Sequence, residues 1–272
     1  MQAYNSLSLA YNRLYQKNIE FFKQNIINTG YNSEWFVDFY PSFGIKKTEK
    51  CDIMFYGQAV NGWGSGFNTE DEINKLKIEE SILASNRYYS KLNHTPLDWV
   101  NVRWSKSTYD EIIKDQDFLD FYEGFNNYWT YRSLFWKIVF KLTSDFYGLS
   151  RNSGEWAKKT VWSNLYKIAP DGANPDEFLR QQQFEKSVEL IHQEIEEIKP
   201  KYCIVLTNLS WWKPFGEGLK TQKLNFDKSL GCIEAYEQLK DTKIIVTTRP
   251  RFGSGENHVK QLLSIMDSNR LE

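Results

Sequence analysis

The chain has 272 residues, of which 41% are hydrophobic and 25% charged. That is enough apolar material for one sizeable core, and it excludes a disordered chain as the overall description. A net charge of -1 supplies no global attraction for nucleic acid, so any such contact depends on a local patch. No run of about 18 apolar residues occurs and the start lacks a signal peptide's apolar stretch, which predicts a cytoplasmic protein with no membrane partner.

In chain order, residues 5–28 read as an amphipathic helix, with Leu9, Leu14, Ile19, Phe22 and Ile26 near one face and Gly30 as a stop. Residues 51–56 are a short apolar run that enters the glycine-rich stretch 57–66, the pattern of a strand leading into a tight loop. Residues 70–148 are aromatic and helical in pattern, with Tyr131, Phe135, Ile138 and Leu142 at helical spacing. A second strand is expected at 160–162, followed by a polar loop through 170. Residues 175–199 carry a stripe of Phe184, Val188, Ile191, Ile195 and Ile198, closed by Pro200, and predict one long helix with a solvated acidic face. Further strands are expected at 202–206 and 243–247, an edge hairpin or irregular strands around 223–236, and a last helix.

Strands alternating with helices predict parallel pairing through right-handed crossovers. The expected fold is a three-layer α/β/α domain over 1–272 around a mostly parallel sheet of about four strands. An N-terminal helical extension (1–48) and a helical excursion (70–148) would complete it. Ligands in such sheets sit at the carboxyl ends of the strands, so the loops at 57–68, 163–170, 207–214 and 248–258 should face one cleft.

Cys51, Cys203 and Cys232 stand apart, without a CxxC pair or a histidine at ligand spacing, so neither a zinc nor an iron-sulfur site is read. The loop from Gly57 combines backbone freedom with an amide (Gln58) and an indole (Trp63), as a planar ligand requires, and equally serves as a structural turn. Asn164 offers one donor and one acceptor at a strand end, suited to a pyrimidine edge or to capping a turn. Lys167 is a candidate phosphate contact or a solvated charge. Arg249 and Arg251 flank Pro250 and fit either an anion or surface ion pairs. His258 is a candidate acid or base that falls near the start of the last helix.

The ordered set Gly57-Gln58-Ala59, Asn164 with Lys167 and Pro170, and Thr248-Arg249-Pro250 resembles the uracil-DNA glycosylase superfamily. Those proteins carry a strand followed by a GQDPY, GEAPG or GMNPG-like loop, a central Asn that reads the base, and a late HPS-like loop. The middle segment is most similar to the N-x-x-K-x-x-P pattern of the iron-sulfur branch, without the cluster's cysteines, and the whole looks like an uncharacterised bacterial branch. The resemblance implies a DNA-repair-type N-glycosylase that needs no cofactor and takes DNA or a uracil-containing nucleotide as partner. It implies base contacts from Gly57, Gln58, Trp63, Phe67 and Asn164 and catalytic roles for Asn61 and Arg249; phosphate contacts from Lys167 and Arg251 and a catalytic role for His258 are expected from the residues themselves. In this chain Ala59 stands where several branches keep a water-positioning Asp or Asn, and Arg249 stands in place of the late-loop His. A non-catalytic nucleotide or nucleic-acid binding module of the same fold, and an unrelated α/β hydrolase using His258, are the alternatives.

Overall fold

Four apolar runs form the centre of one sheet. In the computed structural model, which describes residues 7–31, 34–45, 49–60, 65–85, 133–151, 155–251 and 255–267, these are β3 (Ile53–Gly57), β5 (Thr160–Asn164), β7 (Tyr202–Val205) and β10 (Thr242–Thr247). They lie in the order β5-β3-β7-β10, every pair parallel. The register sets Gly57 opposite Asn164. Both faces of these strands are buried, which is why they read as continuous apolar runs and not as alternation.

Alternate residues feed two cores. Met54, Tyr56, Val161, Cys203 and Val246 pack with residues of α1 (Leu9–Ile26), α5 (Phe184–Ile198) and α6 (Leu209–Leu219). Phe55, Trp162, Ile204 and Ile245 pack on the other side with α3 (Leu134–Tyr147) and α7 (Glu256–Asp267). The expectation of a parallel sheet with helices on both faces therefore holds at its centre.

At its edges the sheet is antiparallel, and the edge hairpin expected around 223–236 is present there as β8 and β9. Among the described residues the sheet has seven strands and is mixed: β2 (Ser42–Phe43) joins β5 antiparallel, and β9 (Ile233–Leu239) with β8 (Gln222–Lys223) extends it antiparallel beyond β10. Edge strands of two residues carry no periodicity to read, and the apolar pattern of β9 is broken by half-buried Glu234 and by buried Glu237, which accepts from Trp212 Nε1 and Thr221 Oγ1. A separate antiparallel sheet of order β4-β1-β6 comprises β4 (Ser65–Phe67), β1 (Phe36–Asp38) and β6 (Ile168–Pro170). The stretch expected as a polar loop through 170 thus contains a strand.

The N-terminal segment is not a helical appendage. It contributes β1 and β2, and α1 packs on α5 with Tyr11, Tyr15 and Phe22 fully buried. Ser8 caps α1, its Oγ accepting from Tyr11 N (3.2 Å). Buried Asp38 at the end of β1 accepts the Tyr15 hydroxyl (2.9 Å) and pairs with Lys77 of α2 (Lys75–Ser85) at 3.0 Å, tying the small sheet to two helices.

The long helix expected at 175–199 is two. α4 (Glu177–Gln181) ends before Gln183, whose carboxamide bonds both backbone groups of Ile168 (3.0 and 2.7 Å). A side chain that completes a strand's hydrogen bonding from inside the core fixes the break. The expected loop 207–214 is mostly α6, capped by Asn208. Pro214 and two glycines hid it, since each is a helix breaker on propensity alone. The excursion at 70–148 is described at its ends, as α2 and α3, and its remainder lies outside the described residues.

Candidate functional site at the carboxyl ends of the strands

A cavity of about 240 Å³ opens where the parallel strands end. Gly57, Gln58 and Ala59 enter it from β3, Trp162 and Asn164 from β5, Leu206 from the end of β7, and Arg249 with Pro250 from beyond β10. The first turn of α3, from its capping Ser133 to Trp136, closes one side. Three segments far apart in sequence, around 57, 164 and 249, therefore share one cavity, as the sheet topology requires.

Asn164 is 1% exposed, and its Nδ2 has no hydrogen-bond partner. No hydrogen bond reaches its Oδ1 among the described residues either. Trp162, two residues earlier and so on the same face of β5, is 6% exposed, and its Nε1 also lacks a partner. Gly57 is required at its position by contact. A Cβ there would collide with Asn164 Oδ1 and stand 3.6 Å from Trp162 Nε1. The strand register brings the glycine's bare Cα under the carboxamide, and any side chain would displace it.

The aromatic wall is rigid. Trp162 packs on Phe39 (4.5 Å between ring centres), edge-on to Trp136 (4.8 Å, 78°) and within 6.3 Å of half-buried Phe135. The indole is held on several sides, so its N–H cannot swing away to find another acceptor.

The opposite face of β5 supports Asn164 from behind. Fully buried Lys167 Nζ donates to Ser163 Oγ (2.6 Å) and to the Asn164 carbonyl (2.6 Å), and pairs with fully buried Glu194 of α5 at 2.7 Å. Glu194 also accepts the hydroxyls of Tyr11 (2.6 Å) and Tyr56 (3.0 Å). Burial lowers the proton affinity of Lys167, opposed by the Glu194 charge. Burial, with Glu194 adding to it, pushes both tyrosine hydroxyls well above their ordinary range, so they remain neutral donors. All three ammonium protons are committed, and the lysine fixes the backbone that carries Asn164.

The phosphate-contact reading of Lys167 is thereby corrected: a lysine with no exposure and three internal acceptors has nothing to offer a phosphate. Phe67 is corrected as well. It is fully buried in the core beside Phe36 and under Lys77, and does not line the cavity. The aromatic rings that line the cavity are those of Phe135, Trp136 and Trp162, which sequence spacing presents only as core aromatics.

Arg249 stands exposed at the cavity mouth, and its guanidinium has no ion-pair or hydrogen-bond partner among the described residues. Family models give no match to the chain, and a search of curated proteins gives none. Inference about the site therefore rests on its geometry.

His258 is half-buried on α7 with Nε2 against Thr248, 3.2 Å from Oγ1 and 3.3 Å from the carbonyl oxygen. It does not line the cavity and instead braces the residue before Arg249. Burial lowers its pKa below the usual value. Arg251 is exposed and outside the lining. Asn61 and Trp63 lie outside the described residues. Sequence reasoning missed Asn174, which lines the mouth after the Asp171-Gly172 turn that follows β6; that Asp-Gly pair was the available signal.

The three cysteines are buried free thiols, and burial pushes Cys51 up to about 12. Among the described residues no group of three His, Cys, Asp or Glu side chains is arranged to hold a metal ion, and no helix is long and apolar enough to cross a membrane.

Proposed function

We propose that the chain is a uracil-DNA glycosylase-like protein that receives a single nucleobase, free or carried on a nucleotide or a DNA strand, in the cavity at the strand ends. The observation that carries this reading is Asn164: a buried carboxamide with an idle N–H, seated on a glycine that has no room for a side chain, inside a cavity walled by aromatic rings. A carboxamide presents one donor and one acceptor side by side, the complement of a pyrimidine edge. The volume of about 240 Å³ lies below the roughly 300–1,000 Å³ typical of pockets for drug-sized ligands, which suits one ring system and not a dinucleotide. Stacking on the aromatic wall adds about 1–3 kcal/mol per base. For a DNA substrate the base is flipped out of the helix into this space.

Arg249, at the mouth and without a partner among the described residues, suits either a backbone phosphate or the negative charge that develops on a departing base. A second reading, a binding module that keeps the pocket without the chemistry, is favoured by one observation. Among the described lining residues Arg249 is the only ionisable side chain, so the lining offers no carboxylate or imidazole to activate water.

Single-turnover abasic-site formation on a uracil-containing oligonucleotide separates the two. A glycosylase releases uracil, and Arg249→His accelerates that release by restoring an imidazole to the late loop. A binding module retains the oligonucleotide and forms no abasic sites in either form. An oligonucleotide and a free base that both fail to bind would remove the base-binding reading altogether.

A further inference from the structure

Resting on the base-binding reading, we infer that Trp162 is a second reading residue of the site and that, with Asn164, it selects the imide edge of a planar base.

Trp162 Nε1 and Asn164 Nδ2 are buried donors without partners on the same face of β5. Both residues line the cavity. Their polar atoms converge over Gly57: Asn164 Oδ1 lies within clashing distance of the point where a Cβ would stand, and Trp162 Nε1 lies 3.6 Å from that same point. The carboxamide's Nδ2 lies farther off. With Oδ1 taken as the middle member, these three polar atoms form a donor, acceptor, donor array.

The complement of that array is acceptor, donor, acceptor, which is the C(=O)–N(H)–C(=O) edge of a 2,4-dioxopyrimidine. A 4-amino-2-oxo edge mismatches at two positions: its ring nitrogen sets an acceptor against Oδ1, and its amino group sets a donor against an N–H. Such a mismatch leaves buried polar groups unpaired, and that is how a site built on hydrogen bonds rejects an analogue. Asn164 alone reads two of the three positions. Trp162 reads the third, and its packing against Phe39 and Trp136 holds the N–H where the second carbonyl arrives.

The test is calorimetric titration of wild type, Trp162→Phe and Asn164→Ala with uracil, cytosine, 2-pyrimidinone and 4-pyrimidinone. Phenylalanine keeps an aromatic ring and removes the N–H. One net hydrogen bond corresponds to about fivefold to tenfold in affinity. Trp162→Phe should therefore bind uracil about fivefold to tenfold more weakly than wild type, and should bind both mono-carbonyl analogues unchanged, since each turns its one C(=O)–N(H) pair to Asn164 and leaves a C–H facing the indole. If Trp162→Phe binds uracil as tightly as wild type while Asn164→Ala loses it, this inference is overturned and the base-binding reading survives. If wild type binds none of the four, or binds uracil no better than Asn164→Ala does, both are overturned.

Indole nitrogen-15 spectra of the wild-type protein give an independent readout should the Phe variant fold poorly. Saturating uracil should shift one of the ten tryptophan N–H resonances downfield as it gains an acceptor. Bound uracil with no such shift would equally overturn the role of Trp162.

Discussion

On one face of β5, Ser163 and the neighbouring Lys167 belong to a closed network in which every ammonium proton and both Glu194 oxygens are engaged. On the other face, at adjacent positions of the same strand, Trp162 and Asn164 hold N–H groups that bond to nothing. The two faces are equally buried, so burial alone does not distinguish them. A buried donor left unpaired costs about 1–3 kcal/mol, and native interiors keep few of them. Asn18 and Ser187 also leave buried polar atoms unpaired, but neither lines the cavity, so orphaned atoms by themselves do not mark a site. The conjunction does: idle donors, a cavity they face, and a glycine that leaves room for nothing else. One face of the strand is a closed scaffold, and the other keeps two buried donors without partners beside a cavity.

That contrast breaks most severely on the scaffold side. Glu194→Gln leaves the Lys167 ammonium buried without its counter-charge, and should lower stability by about 3–5 kcal/mol in chemical denaturation. A loss under about 1 kcal/mol would mean that the pair behaves as an exposed one, and the support assigned to it would fall away.

Gly57→Ala probes the seam between the faces. Its Cβ meets Asn164 Oδ1 and forces the carboxamide to turn, an overpacking cost of about 1–3 kcal/mol. Base affinity should fall along with stability. A variant that keeps full affinity would show that the carboxamide's seat on Gly57 does not matter to the ligand.

The smallest effect concerns His258. Burial lowers its folded-state pKa below the ordinary 6.5, with the Thr248 carbonyl opposing the shift. Between the two values the unfolded chain binds more protons than the folded one. Its contribution to stability is therefore complete above about pH 6.5 and is lost as pH falls through the lowered value. His258→Gln should flatten that acid-side slope in thermal melts, and an unchanged slope would remove His258 as a contributor.

Much of the geometry on the cavity side was legible in the sequence. The central strands announce themselves because strands buried on both faces are continuously apolar, and their order of alternation with helices places Gly57, Asn164 and Arg249 at one end. The scaffold side was not. Lys167 reads as a surface charge because a sequence shows a residue's charge and not its burial. Its partner hides among the acidic residues of 175–199, which pattern as a solvated face although Glu194 stands between Ile191 and Ile195 of the apolar stripe. Trp162 and Trp136 read as core because they are core; what sets Trp162 apart is one unpaired N–H, which no spacing reveals. Phe67 misled for the complementary reason, since an aromatic next to a glycine-rich loop looks available until a second small sheet buries it.

The central claim is that the idle carboxamide of Asn164 is kept for a base, and calorimetric titration of uracil into wild type and Asn164→Ala, with thermal melts alongside, tests it most directly. The account predicts a loss of about 1–3 kcal/mol in binding, roughly fivefold to a hundredfold in affinity, with the melting temperature not lowered, because the deleted Nδ2 has no partner to lose and its unpaired burial is itself a cost. Unchanged affinity together with a stability loss of about 1 kcal/mol, the signature of a lost cap or turn contact, would contradict it.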